Sequence, residues 1–294
     1  MLNVGLIGCG NIAETYFRSQ EYFNNINFIS CTDINEEAAK KCADQYNIKI
    51  QSVDDLLSNP DIDVILNLTV PQAHHEVTKK ILLAGKHSYC EKPLSISFEQ
   101  GKELVEIAKE KNIYLGNAPD TFLGAGGQLS RQLLDVGEIG DVQLGNFIFA
   151  FPGVETFHHN PDSWYKKGGG PIIDMGPYFF TMLVHLLGPA KNVQSRGIKV
   201  KENRIIDAGP RKDEKVIVEV PTSYTFNVEF RSGALIQGFI SFDVINHQRN
   251  HMELYGTKGS MIVPDPNMFG GPVTISKEIG SEWVDHSVDA MHLG

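Results

Sequence analysis

Positive charge is scarce in this chain: 26 Lys and Arg stand against 36 Asp and Glu among 294 residues, a formal net charge of −10. That balance opposes docking on nucleic acid or anionic lipid, and no basic stripe with interleaved aromatics offsets it. Cysteine is sparse too. Cys9, Cys31, Cys42 and Cys90 all lie in the first third and show no CxxC spacing, which argues for reduced, structural thiols over a metal or redox site. Internal repeats and low-complexity tracts are lacking, so a solenoid or a disordered tail is not expected. The opening stretch MLNVGLIGCGNIAE has no basic leader region, and its apolar run is far too short to span a bilayer. A cytoplasmic protein is expected. What is present is an ordinary globular composition, 41% hydrophobic and 21% charged, in a chain long enough for two domains.

Up to residue 118 short β-rich runs (NVGLI, INFISCT, VILNLT, KHSYC, IYLG) alternate with helical patterns (NEEAAKKCADQY, AHHEVTKKILLAG, SFEQGKELVEIAKEK). That alternation predicts βαβ units and a doubly wound parallel sheet. The last helix opens with Ser97 and has Gln100 three residues on, the spacing of a capping box. GNAPDTFLGAGG, residues 116–127, is rich in Gly and Pro and marks a boundary. We therefore expect domains at 1–118 and 119–294. In the second, LSRQLLDVGEIG and a stretch near 172–187 read as helices. VQLGNFIFAF, VIVEV, SYTFNVEF, ALIQGFISF, HMELYG, GSMIV and PVTIS read as strands of one large, open, mainly antiparallel sheet in an α+β domain.

GLIGCGNIAE places Gly8, Gly10 and Ala13 in a GxGxxA pattern after the first strand. Gly8 permits the tight turn, Gly10 lets backbone approach a pyrophosphate, and Ala13 allows close packing of helix on strand. Asn11 and Ile12 fall where the following helix would offer its amides to the anion. Asp33 ends the second strand, 23 residues past Gly10 (33 − 10), a spacing that suits an acid on ribose hydroxyls. Because Asp33 repels a 2′-phosphate and neither Ile34 nor Asn35 can pair with one, NAD is expected in preference to NADP.

The segment NLTVPQAHHEVTKKILLAGKHSYCEKPLSIS, following GxGxxA, resembles the Gfo/Idh/MocA oxidoreductases, whose hallmark EKP is here Glu91, Lys92 and Pro93. The resemblance runs over nearly the whole chain. It implies a Rossmann domain followed by a substrate domain with an open sheet that pairs copies into homodimers or homotetramers. Thr69 and His74 match the family's TPNxxH loop beside the cofactor, whereas Val70 and Pro71 depart from it; His74 is equally suited to a helix-surface or capping place. Lys92, leaving the carboxyl end of a parallel strand, would project beside the nicotinamide. An ammonium desolvated there, next to a cationic ring, gives up its proton more readily, and can exchange it with a substrate hydroxyl. Glu91 positions cofactor or lysine, and the family often has the following bond to proline cis.

KKGGGPIIDMGPYFFTMLVHLLGP resembles the family's GGGxxxDxGxHxxD helix: Asp174 and Gly176 match, but Tyr178 and Thr181 stand at the His and Asp positions. Relatives of the glucose-fructose oxidoreductase and dihydrodiol dehydrogenase branches carry tyrosine there for proton transfer. Asp174, Tyr178 and Thr181 share one helix face; the bland alternatives are a core aromatic at Tyr178 and an N-cap at Asp174. Upstream, ETFHHNPDSWYKK offers His158 and Trp164 as an aromatic and hydrogen-bonding rim for a sugar. Asp120 is a further rim acid or a turn residue. No metal-ligand spacing accompanies the adjacent histidines, so no metal is expected.

These readings combine into an NAD-dependent oxidoreductase acting on a secondary hydroxyl or carbonyl of a sugar, sugar derivative or cyclitol. Lys92 is the expected general acid/base, Tyr178 its partner or an alternative proton donor, and Asp174 the residue that holds the substrate hydroxyl or orients the other two. Two rivals stand beside it: a glycoside hydrolase or lyase that recycles tightly held NAD, and a non-catalytic nucleotide sensor. The chain ends at VDAMHLG, where relatives usually continue, so a short form or a fragment is expected.

Overall fold

The computed structural model describes residues 1–287; the VDAMHLG end lies outside them. The chain divides into two compact units, one from Met1 to Ala118 and one from Pro119 onward.

The first unit follows the order β1 (Leu2–Ile7), α1 (Ala13–Arg18), β2 (Ile26–Thr32), α2 (Glu36–Tyr46), β3 (Lys49–Ile50), α3 (Val53–Ser58), β4 (Val64–Asn67), α4 (Pro71–Leu83), β5 (His87–Cys90), α5 (Phe98–Glu110), β6 (Leu115–Asn117). All pairings are parallel, in the order β3-β2-β1-β4-β5-β6. Local chemistry sets the helix starts. The Asn35 side chain accepts from the amides of Glu37 and Ala38, Ser52 from Asp55, and Ser97 from Gln100, each satisfying N–H groups that a first helical turn leaves open. β1 is buried from Val4 to Ile7, as a strand covered on both faces must be.

Register decides where function can sit. Ile7 pairs with both Thr32 and Asn67, Asn67 with Cys90, and Cys90 with Asn117. The five longer strands therefore end level, and the residues just beyond them leave from one edge. Strand order reverses between β1 and β4 there, the crevice where open parallel sheets take ligands. Two short elements, β3 and α3, are not marked in the sequence, because a two-residue strand carries no periodicity. α1 is also shorter than the glycine pattern suggests: it starts at Ala13, runs six residues and passes into a 3₁₀ turn.

The second unit contains α6 (Ala125–Asp135), β7 (Val142–Ala150), α7 (Asp162–Tyr165), α8 (Pro171–Leu187), β8 (Ala190–Ile198), β9 (Asn203–Ile205), β10 (Lys215–Ile217), β11 (Ser223–Phe230), β12 (Leu235–Ser241), β13 (Met252–Gly256), β14 (Ser260–Val263), β15 (Val273–Ser276) and β16 (Val284–His286). Its large sheet runs β16-β15-β14-β13-β7-β12-β11-β8, antiparallel throughout except where β7 lies parallel to β12. Met175, Phe179, Met182 and Leu186 of α8 recur at helical spacing and pack with Phe147, Phe226, Ile236 and Leu254 of the sheet. The opposite sheet face leaves Leu144, Val193 and Leu235 more than half exposed.

VIVEV departs from expectation. Its first residues belong to the separate β9–β10 hairpin, because Val216 and Val218 pack into a satellite core with Val154, Tyr165, Ile206 and Phe242. β8 shows no apolar alternation because it is an exposed edge strand, paired among the described residues with β11 alone.

Candidate functional site

At the level edge of the parallel sheet, Gly8 has φ +103°, and a Cβ there would lie 2.6 Å from the Leu68 carbonyl carbon and oxygen just past β4. Only glycine combines that φ with that approach. Gly8→Ala is expected to cost about 1–3 kcal/mol for the backbone strain alone, before any clash, read as a lowered urea midpoint. Gly10 differs: a Cβ there would meet nothing within 4 Å. Gly10, Asn11 and Ile12 are exposed, so the second glycine leaves open space of the kind a pyrophosphate approach requires, and a side chain would fill it.

Asp33 sits against this turn. Its Oδ2 accepts from the Cys9 amide at 2.7 Å and its Oδ1 from the Asn35 amide at 2.8 Å. Each carboxylate oxygen can accept more than one hydrogen bond, so the group is fixed in place with capacity left for ribose hydroxyls.

Past β4 and β5 a buried network shapes the other side of the crevice. Asn67 is fully buried. Its Nδ2 donates to the His74 carbonyl and to Thr78 Oγ1, and its Oδ1 accepts from the Thr69 hydroxyl at 2.7 Å. The His74 ring is 1% exposed; its Nδ1 faces the Pro93 carbonyl at 2.5 Å and its Nε2 the Thr69 carbonyl at 2.9 Å. His74 thus lies behind the two loops and braces one against the other, a third place besides the helix surface or cap and the cofactor-facing one.

Glu91 is used at both oxygens: Oε1 accepts from Tyr16 Oη at 2.9 Å, tying the loop to α1, and Oε2 accepts from the Lys92 amide at 2.8 Å. Asn117 Nδ2 donates to the carbonyls of Cys90 and Glu91. The Lys92–Pro93 peptide is cis, and Lys92 is half-buried. Gly8, Gly10, Asp33, Thr69, Glu91 and Lys92 therefore all leave from one strand edge.

In the second unit Asp174, Tyr178 and Thr181 lie along α8 beside the stripe that enters the core, all partly buried. Gly170 occupies the N-cap, and Asp174 falls in the first turn, so Asp174 is not the cap. Tyr178 packs at the margin of the core. The His158 and Trp164 rings are 4.9 Å apart. His158 Nδ1 accepts from the Asn160 amide, which leaves Nε2 to carry the proton, and burial, then the neighbouring His159, pulls its pKa down. A neutral donor beside an indole is the result. Asp120 is exposed and its carbonyl accepts from the Leu123 amide, closing a turn.

Two family profiles match in succession: the oxidoreductase family with an NAD-binding Rossmann fold over residues 2–118, and the GFO/IDH/MocA C-terminal domain over residues 128–262. The chain belongs to the GFO/IDH/MocA oxidoreductase family. It is 35% identical over 152 residues to a trans-1,2-dihydrobenzene-1,2-diol dehydrogenase of Xenopus tropicalis, covering 50% of this chain and 45% of that one. Two solved structures share the fold. One is a levoglucosan dehydrogenase in complex with NADH and L-sorbose, at TM-score 0.82 and 22% identity, covering 98% of this chain and 80% of the other. The second is a biliverdin reductase of Synechocystis in complex with biliverdin and NADP+, at TM-score 0.75 and 22% identity, covering 99% and 86%. Among the described residues no helix is long and apolar enough to cross a membrane.

EKP and the glycine turn stand out in the sequence itself, whereas the network that holds them is visible only in the fold. Tyr16, Asn67, Thr78 and Asn117 escaped notice in the sequence. Asn67 alone left a signal, as a polar residue inside the apolar run VILNLT.

Proposed function

We propose that this protein is a cytoplasmic, NAD-dependent dehydrogenase or reductase acting on a secondary hydroxyl or carbonyl of a sugar, sugar derivative or cyclitol. The observation that carries this reading is the Glu91–Lys92 turn, clamped by Tyr16 and leaving from the same strand edge as Gly8 and Asp33. Gly8, Gly10, Asn11, Ile12 and Ala13 would hold the dinucleotide's phosphates, Asp33 its ribose, and Thr69 and Glu91 the walls of the crevice, with His74 bracing them. The bound nicotinamide supplies the hydride chemistry.

The chain's own residues supply the proton path. Lys92 Nζ takes the substrate hydroxyl's proton during oxidation and returns it during reduction. Tyr178 is its partner or alternative proton donor. Asp174 holds the substrate hydroxyl, and His158, Trp164 and Asp120 contribute sugar contacts. The exposed apolar residues of the large sheet are assigned to pairing with further copies.

The test is a panel of polyols, sugars and cyclitols with NAD and, separately, NADP, read by reduced-nicotinamide absorbance. Net NADH production with at least one member is expected, at higher kcat/KM with NAD. Absence of net NADH with every member would favour internal recycling or a non-catalytic protein. Asp33→Ser removes the charge at the ribose edge and is expected to move the NAD/NADP ratio of kcat/KM at least tenfold toward NADP. A merely structural Asp33 would lower both values together.

A further inference from the structure

Cys9, Cys31 and Cys42 show no spacing that links them in sequence, yet their sulfur atoms all lie within 4.8 Å of one another. Each comes from a different element: Cys9 from the glycine turn after β1, Cys31 from β2 and Cys42 from α2. Cys31 and Cys42 are buried, at 0% and 6% exposure, whereas Cys9 is partly open to solvent. Besides interacting with one another, two of the thiols make long contacts to carbonyls, Cys9 Sγ to Thr32 O at 3.6 Å and Cys31 Sγ to Ala39 O at 3.7 Å. A thiol is a weak donor, so little holds the sulfurs against a stronger partner.

We propose that this cluster is a three-thiolate binding site for a soft divalent cation of the zinc class, with a water in the fourth position on the open side of Cys9. At zinc–sulfur distances of about 2.3 Å, tetrahedral geometry sets ligand sulfurs roughly 3.8 Å apart, so small side-chain rotations close the site. Thiolates select soft cations over magnesium or calcium. As the three metal–sulfur bonds form, three thiol protons leave to solvent. Cys9 supplies the entry path, since it alone of the three is partly exposed. The site lies apart from the proton path assigned to Lys92, and its existence does not depend on the oxidoreductase reading.

The experiment is a titration of reduced, metal-free full-length protein with Cd²⁺, followed by thiolate-to-cadmium charge-transfer absorption, with Zn²⁺ as competitor. One equivalent per chain is expected, displaced by Zn²⁺ and untouched by excess Mg²⁺. Cys42→Ser and Cys9→Ala should each weaken binding at least tenfold, and Cys90→Ser, outside the cluster, should leave it unchanged. Should Cys42→Ser fail to fold by circular dichroism, the more exposed Cys9→Ala carries the test. Equal binding by wild type and Cys9→Ala, or no stoichiometric band in the wild type, overturns the proposal.

Discussion

Lys92→Ala is expected to lower kcat by about 10²–10⁴-fold, the usual worth of a positioned general acid/base, while the Kd for NADH changes less than about threefold. The two effects separate because side chains other than the lysine's hold the backbone of the turn. Glu91 holds the Lys92 amide through Oε2 and Tyr16 through Oε1, and Asn117 holds the carbonyls of Cys90 and Glu91. Truncation beyond Cβ leaves all of these bonds in place. Lys92→Arg sharpens the test. A guanidinium keeps the positive charge but cannot release a proton in the working pH range, so it should be nearly as inactive as alanine if the ammonium moves a proton, and substantially active if charge alone matters. Steady-state kinetics with the substrate found in the polyol panel, together with NADH fluorescence titration, read both quantities. Equal loss of turnover and of NADH affinity in Lys92→Ala would make the lysine structural.

The pattern in the sequence was strongest where one residue type has one physical use. GxGxxA marked Gly8 because a positive φ and contact with Leu68 leave no alternative there, whereas the strand-end place of Glu91 and Lys92 suits a solvated turn equally well and only the resemblance carried by EKP singled out Lys92. Ser97 and Gln100 marked a helix start through a local bond, which the structure contains. Elements set by long-range contacts stayed hidden. β8 is a polar edge strand recruited by β11, and Val216 turns into a satellite core that exists only because Tyr165 and Phe242 meet there. Likewise Asn67 and His74 acquire their places by bridging loops past β4 and β5, a relation that no spacing along the chain encodes.

Arg204→Ala is expected to destabilise the second unit by about 3–5 kcal/mol, the cost of breaking a buried ion pair from one side. Arg204 is 2% exposed and Glu155 5%. Its Nη1 donates to Glu155 Oε1 at 2.7 Å and to the Pro152 carbonyl at 2.9 Å, and its Nη2 donates to Asp243 Oδ1. Tyr165, whose hydroxyl donates to Glu155 Oε2, lies under the guanidinium, and burial followed by that bond pushes its pKa up. Ser223 completes the arrangement by donating to Asp243 Oδ2 at 2.6 Å. One cation thus faces two buried carboxylates from separate parts of the chain, and without it both charges stay in the interior with hydroxyl partners only. The penalty comes from those stranded charges more than from the lost attraction. Adding Glu155→Gln and Asp243→Asn to Arg204→Ala should therefore recover at least a third of the loss, although three residues have changed instead of one. Urea unfolding followed by circular dichroism measures each step. A loss under about 1 kcal/mol for Arg204→Ala, or no recovery in the triple variant, would mean that water reaches the carboxylates and that the hairpin of β9 and β10 is held by its apolar contacts alone.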